Sequence, residues 1–271
     1  MSEISYKPLI RDMVWSYSKL ETFESCRYRW YLKYIKKRKD EDRFYASYGT
    51  FMHKILERFY RGDLKREEML PEYLMNFKNE VKGTRPKECT LKSYIEKGAD
   101  YLRTFEPLPY ETVAVERKVD FNVDGIPFTG VIDFIGRDEE GLVIVDNKSA
   151  SLKPFSGREK PTKNDLKLMR VLRQLYIYAI AVEQIYGELP TKLCINSIKN
   201  TQLLIFAVSN DQLSQTKQWV KDLVYQIENC DDFYPTQDVF GCYWICGINS
   251  YCEYDIAERK EKRWQRKHEN R

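Results

Sequence analysis

Between residues 111 and 148 the chain runs through three segments of strand character in quick succession. They read ETVAVERKVDFNV, IPFTGVIDFIG and LVIVDNKS. Asp124-Gly125 separates the first two, and Asp138-Glu139-Glu140-Gly141 separates the second and third. Turn residues between period-two segments predict a meander of three antiparallel strands. A turn centred between Glu139 and Glu140 sets Phe134 opposite Val145 and Asp133 opposite Asp146. Side chains alternate along a strand. Asp133 therefore shares a face with Val131 and Ile135, and Asp146 shares one with Ile144 and Lys148. The other face carries Ile132, Phe134, Val143 and Val145. Both faces are largely apolar, which predicts a hairpin central in its sheet.

Helices surround this meander. Ser18-Lys19-Leu20-Glu21 reads as a capping box before KLETFESCRYRWYLKYIKKRK, where Leu20, Phe23, Tyr31 and Tyr34 share one helical face. A second helix is expected after Thr50, through TFMHKILERFYRG to Gly62. Residues 63–107 read as helical and polar. A basic loop, 152–163, follows the third strand, and then an apolar helix over 165–186. A hairpin, KLCINSIKNTQLLIFAV, and a helix over 210–229 complete the body. There is no internal repeat. The order predicts an α/β fold: a central mixed β-sheet flanked by helices. A helical N-terminal lobe over 1–110 carries Cys26 and His53, the core covers 111–230, and a cysteine segment with a basic tail covers 231–271.

With 271 residues, 42% hydrophobic and 32% charged, the chain suits one large domain or a core with an accessory lobe. No apolar run approaches the roughly 18 residues of a membrane span, and the N-terminus lacks a signal peptide's apolar region. The expectation is a cytoplasmic protein without membrane contact, in the host cytoplasm if phage-encoded. Seven cysteines, an odd count in a long chain, point to buried fillers, metal ligands or reactive thiols rather than disulfides. The net charge of +4 does not by itself imply nucleic acid.

Two carboxylates facing each other across neighbouring strands repel, and burial worsens the conflict. A bound divalent cation removes it, since hard cations take oxygen ligands. Lys148, beside Asp146, can hold a scissile phosphate or orient a water. The plainer alternative is a salt bridge at a sheet end. Gln174 and Tyr178 sit four apart on the long helix, hence on one face. They either reach a phosphate or base, or are a helix-edge amide and a core phenol. His53, beside Met52, Ile55 and Leu56 in the first turn of its helix, is structural or a metal ligand.

Together these residues resemble one family. His53 in GTFMHKILE, Asp133 in GVIDFIG, Asp146-Asn147-Lys148 after VIV, and Gln174-Leu175-Tyr176-Ile177-Tyr178 are similar to the H, D, D/E-x-K and Q-x-x-x-Y motifs of the PD-(D/E)XK nucleases. The likeness is to the RecB-like branch, and SYSKLETFESCRYRWYLKYI is similar to that branch's N-terminal segment. The resemblance implies a restriction-endonuclease-like core and a metal-dependent DNA nuclease. It implies that His53, Asp133, Asp146 and the Asn147 carbonyl hold Mg²⁺ or Mn²⁺. It gives catalysis to Lys148 and DNA positioning to Gln174 and Tyr178. Glu116, in AVERKV, is a weaker candidate, expected to be an ordinary strand-surface carboxylate.

Cys26 with Cys242, Cys246 and Cys252 in CYWICGINSYC resembles the iron–sulfur staple of AddB-like and CRISPR-associated nucleases in this superfamily. Four thiolates hold a [4Fe–4S] cluster, and zinc is the alternative. The spacing from Cys242 to Cys246 departs from the family's, so Cys230 is a possible substitute for Cys242. Cys89 and Cys194 read as ordinary thiols. Arg27 in CRYRWYLKYIKKRK, then Lys153, Arg158, Lys160 and Lys163, and finally the tail ERKEKRWQRKHENR mix or cluster cations suited to phosphates, with aromatics for unpaired bases. Each is otherwise a solvated face. The expectation is an exonuclease acting on single strands or duplex ends. Recombination, replication or CRISPR-adaptation proteins are the candidate partners. The alternatives are a spacer-trimming nuclease within a complex and an inactive DNA-binding subunit.

Overall fold

The computed structural model describes residues 6–235 and 240–254, so the basic tail over 258–271 lies outside the described residues. Five strands form one sheet: β1 (Glu111–Val123), β2 (Ile126–Asp138), β3 (Gly141–Lys148), β4 (Lys192–Ser197) and β5 (Gln202–Ala207), in the order β1-β2-β3-β4-β5. Three pairings are antiparallel and the β3–β4 pairing is parallel. Phe134 pairs with Val145 and Asp138 with Gly141, the register that the turn residues predict.

Among the described residues there are eight α-helices: α1 (Lys7–Arg11), α2 (Tyr17–Ser25), α3 (Arg27–Trp30), α4 (Phe44–Tyr60), α5 (Arg66–Glu80), α6 (Glu88–Arg103), α7 (Lys163–Tyr186) and α8 (Asn210–Glu228). A parallel strand pair needs a crossover connection, and α7 lies in the one joining β3 to β4. Among the described residues no helix is long and apolar enough to cross a membrane.

Two helix expectations need correction. The helix read as continuous from Ser18 breaks at Cys26, whose backbone is extended (φ −159°) and whose thiol accepts a hydrogen bond from the Arg29 amide. Its start is capped by Ser16, whose hydroxyl accepts from the Lys19 amide, rather than by Ser18. The helix expected after Thr50 begins at Phe44, so His53 lies in its middle and not in its first turn. Phe44, Tyr48, Phe51, Met52, Ile55 and Leu56 form one buried stripe at helical spacing. Gly49 lies inside the helix. A Cβ there would stand 3.2 Å from the Ser149 hydroxyl, just beyond β3, so glycine lets α4 press against the strand end.

The two sheet faces bury different cores. Ile135, Ile144, Leu193 and Ile195 pack with α7 residues such as Leu175 and Ala179. Phe134, Val143, Val145 and Cys194 form the opposite layer, against Tyr60 and Tyr110. The helices α4, α5 and α6 share a third cluster around Met52, Met69 and Tyr73.

Candidate active site

Three strands contribute one carboxylate each. The pairs Val115–Phe134 and Arg117–Ile132 flank Glu116, which therefore faces Asp133 across β1–β2. Continuing the β2–β3 register beyond Phe134–Val145 brings Asp133 opposite Asp146. Glu116, Asp133 and Asp146 thus line up across the sheet. Glu116 is not the ordinary strand-surface carboxylate expected. Its φ is +47°, a left-handed backbone value inside a strand, and it is half-buried. Its signal in the sequence is positional: it becomes legible only once the β1–β2 register is known.

His53 reaches this row from α4. Its Nε2 is 2.6 Å from the Asn147 carbonyl oxygen, and its Nδ1 is 3.5 Å from Asp133 Oδ2. Among the described residues, His53, Glu116 and Asp133 form the group whose ligand atoms all lie within 4.8 Å of one another. Asp133 Oδ2 also accepts from the Asn147 amide at 2.7 Å. The Asn147 side chain faces away, its Oδ1 accepting from Asn196 on β4 at 2.8 Å. That bond fixes the backbone and so the direction of the Asn147 carbonyl.

Asp146 is 2% exposed. Lys148 Nζ donates to its Oδ1 at 3.0 Å. The ammonium is nearer still to Oδ2, at 2.8 Å, so it pairs with both oxygens of the buried carboxylate. Lys148 also donates to Gln174 Oε1 at 3.0 Å, and Gln174 Nε2 donates to the Tyr178 hydroxyl at 3.2 Å. Gly130 makes room for that phenol: a Cβ there would stand 2.7 Å from a Tyr178 ring carbon.

Burial pushes the carboxyl of Glu116 up to about 7, helped by the charge of Asp133. Burial also raises Asp146, to about 6, with Lys148 opposing and Asp133 reinforcing the shift. Tyr178 goes to about 12, mainly by burial, and so stays neutral. The site therefore has a surplus of acceptors: three carboxylates and a carbonyl oxygen, against one ammonium and one imidazole. A hard divalent cation fits that donor set, with His53, Glu116 and Asp133 already within reach of a shared ion.

The structure brings together His53, Asp133, Asp146, Asn147, Lys148, Gln174 and Tyr178. It does not bring Arg27 into this cluster: Arg27 lies over the rings of Phe23 and Tyr234 in a separate recess shared with Trp219. Lys153, Arg158 and Lys160 lie exposed on the loop 149–162 after β3.

The cysteines converge in part. Cys26 and Cys246 are buried in one small apolar cluster with Tyr28, Leu32 and Ile248, and Cys252 packs against it. Arg43 Nε donates to the Cys246 carbonyl at 2.9 Å, tying this segment to the start of α4. Cys242 is buried in the π-helical turn Gly241–Ile245, its carbonyl accepting from Asn249. Cys230 turns elsewhere; its thiol donates to the Asp232 carbonyl and it packs on the main core. Cys89 is exposed and Cys194 is buried in the sheet.

The sequence pattern of the PD-(D/E)XK nuclease superfamily matches residues 14–256. No curated protein matches the chain. A solved structure from Eubacterium rectale, described as a "putative exonuclease", shares 15% identity with it at a TM-score of 0.54, with 94% of each chain covered. At that identity the likeness shows the fold alone, a restriction-endonuclease-like α/β arrangement. A second solved structure, SSO0001, has 16% identity and a TM-score of 0.32 over 91% of this chain and 95% of its own, too low to carry an argument.

Proposed function

Since the chain belongs to the PD-(D/E)XK nuclease superfamily, we propose that it is a divalent-metal-dependent deoxyribonuclease of the RecB-like type. An exonuclease acting on single strands or duplex ends is the favoured form. The observation that carries the reading is the acceptor cluster of His53, Glu116 and Asp133, with the buried Asp146 paired to Lys148 beside it.

Asp133, Asp146 and the Asn147 carbonyl would hold Mg²⁺ or Mn²⁺, joined by His53 and Glu116. Such an ion neutralises charge on a phosphodiester and makes water a stronger acid. The remaining work falls to the chain. Lys148, steadied by Asp146 and Gln174, presents an N–H to a non-bridging phosphate oxygen and stabilises the charge that grows there. Gln174 and the neutral Tyr178 hydroxyl hold the adjoining backbone. Asn196 keeps the Asn147 carbonyl aimed at the site. The loop with Lys153, Arg158 and Lys160 neutralises phosphates beyond it.

The cysteine segment is proposed as a [4Fe–4S] staple held by Cys26, Cys242, Cys246 and Cys252, with zinc as the alternative. The convergence of Cys26, Cys246 and Cys252 supports it. The burial of Cys242 favours it over Cys230.

The test is cleavage of labelled DNA with and without Mg²⁺ or Mn²⁺, comparing wild type with Asp146→Ala. Expected are metal-dependent cleavage by wild type and loss of about 10²-fold or more in the variant, with DNA binding retained. Equal cleavage by both proteins removes the proposed site.

A further inference from the structure

Beside Gln174 and Tyr178 opens a recess of about 380 Å³, lined also by Ser16, Tyr17, Ser18, Lys118, Thr129 and Val131. We propose that it is the seat of one unpaired nucleotide flanking the scissile phosphate. The proposal rests on the nuclease reading and names which part of the substrate lies next to the chemistry.

The recess is built by distant parts of the chain. Trp15 forms a parallel bridge with Phe128: its amide donates to the Pro127 carbonyl, and its carbonyl accepts from the Thr129 amide, both at 2.8 Å. That bridge pins the start of α2 alongside β2, so Ser16 and Ser18 form one wall. The Tyr17 hydroxyl closes the same side by donating to the Arg170 carbonyl on α7, at 2.8 Å. β1 supplies Lys118, paired with Val131 across β1–β2.

Its chemistry matches a nucleotide. Val131 is 42% exposed although it sits two residues from Asp133 on a central strand. It gives an apolar surface for sugar or base, with the largely buried Tyr178 beneath it. Lys118 is exposed and has no salt-bridge partner among the described residues. It is the cation available to a phosphate at this end. The Ser16 and Ser18 hydroxyls share one hydrogen bond at 3.0 Å, which leaves one of their protons for a sugar or phosphate oxygen without base preference, while the Thr129 hydroxyl donates to the Val119 carbonyl. The volume is at the small end of the about 300–1,000 Å³ typical of ligand sites, enough to seat one nucleotide. Gln174 and Tyr178 belong to both the recess and the Lys148 relay. A nucleotide seated there keeps its own phosphate within reach of the catalytic cluster.

The experiment measures binding of a fluorescent oligothymidylate to the full chain in EDTA, where no cleavage occurs, over a series of salt concentrations. A duplex with blunt ends serves as comparison. Lys118→Ala should lower the slope of log affinity against log salt by about 0.7, one phosphate on a single strand. Ser18→Trp, which fills the recess, should weaken single-strand binding about tenfold, the worth of one nucleotide's contacts, and affect the duplex less. Wild-type slope in the first variant together with wild-type affinity in the second overturns the proposal. Equal loss for duplex and single strand overturns the unpaired nucleotide. Wild-type cleavage with metal is scored separately. If it is absent while the oligonucleotide results hold, the nuclease reading fails and the nucleotide seat stands.

Discussion

Glu116 holds a backbone conformation that side-chain-bearing residues avoid, at a cost of about 1–3 kcal/mol, and uses it to stand among His53 and Asp133. Strain of that size in the middle of a strand persists only where the surroundings impose it. The same crowding gives a pH dependence. Without an ion, Glu116 and Asp146 hold protons to about pH 7 and about pH 6, burial being the first cause for each. A carboxyl whose pKa is raised on folding supports the folded state below its unfolded value, near 4. That support is lost as pH climbs through the folded values. A cation binding both groups ionised offsets the loss. Mg²⁺ should therefore raise Tm little at about pH 5 and clearly at about pH 8, and Glu116→Gln should shrink the difference. Thermal unfolding with and without Mg²⁺ at the two pH values decides it; the same shift at both would break the link between these carboxyls and the ion.

At the scale of elements, the loop between β3 and α7 is ordered by the helix that follows it. Asp165 is almost fully buried at the third position of α7. It accepts hydrogen bonds from the Ser156 amide and hydroxyl and from the Thr162 amide and hydroxyl, at 2.6–2.8 Å. Those donors, led by the Ser156 hydroxyl, hold its carboxyl well below the usual carboxylate range. A depressed pKa contributes stability above the unfolded value near 4, lost only in stronger acid, so the loop stays pinned throughout the neutral range. Asn164 adds a pair of bonds to the Lys153 backbone. Asp165→Ala should lower Tm, from donors left unsatisfied. It should also speed tryptic cleavage after Arg158, since Lys153 and Lys160 precede prolines and resist trypsin, and weaken DNA binding. Unchanged proteolysis would show that the loop is ordered from elsewhere. The contrast with α4 shows what a sequence conveys. The β2–β3 hairpin was legible because its turn and its alternating faces are local, and local pattern fixed Asp133 against Asp146. The start of α4 was not. Gly49 and Thr50 imitate a boundary, and the contact that explains Gly49 is with Ser149, far along the chain. Glu116 was hidden for the same reason: its neighbours are tertiary.

For the whole molecule the question is what holds the two chain ends together. Cys26 and Cys246 are separated by more than two hundred residues yet lie in one apolar cluster, with Cys252 against it. Backbone bonds already dock this segment: the Glu41 amide donates to the Gly247 carbonyl at 2.6 Å, and Arg43 spans to Cys246 and Asn249. Polar contacts of that kind at a half-exposed seam are worth little net, so they position the segment without locking it. Closing so long a loop covalently constrains the unfolded chain strongly, though the gain rises only slowly with length. The apolar surroundings push the Cys246 thiol up, which leaves it protonated unless a metal group claims the sulfur. The proposed cluster would make that claim and convert a weak seam into a closed ring. Protein purified without oxygen should then be brown, with broad visible absorption. Cys246→Ser should lose the colour and about 3 kcal/mol, a fall in Tm of about 6–12 °C. Cys89→Ser, at an exposed site, should keep both. Colourless wild-type protein with one equivalent of zinc would replace iron–sulfur by zinc and keep the staple. Colourless, metal-free protein as stable as its Cys246→Ser variant would remove the staple altogether, leaving the seam to its hydrogen bonds and the carboxylate cluster to stand on the sheet alone.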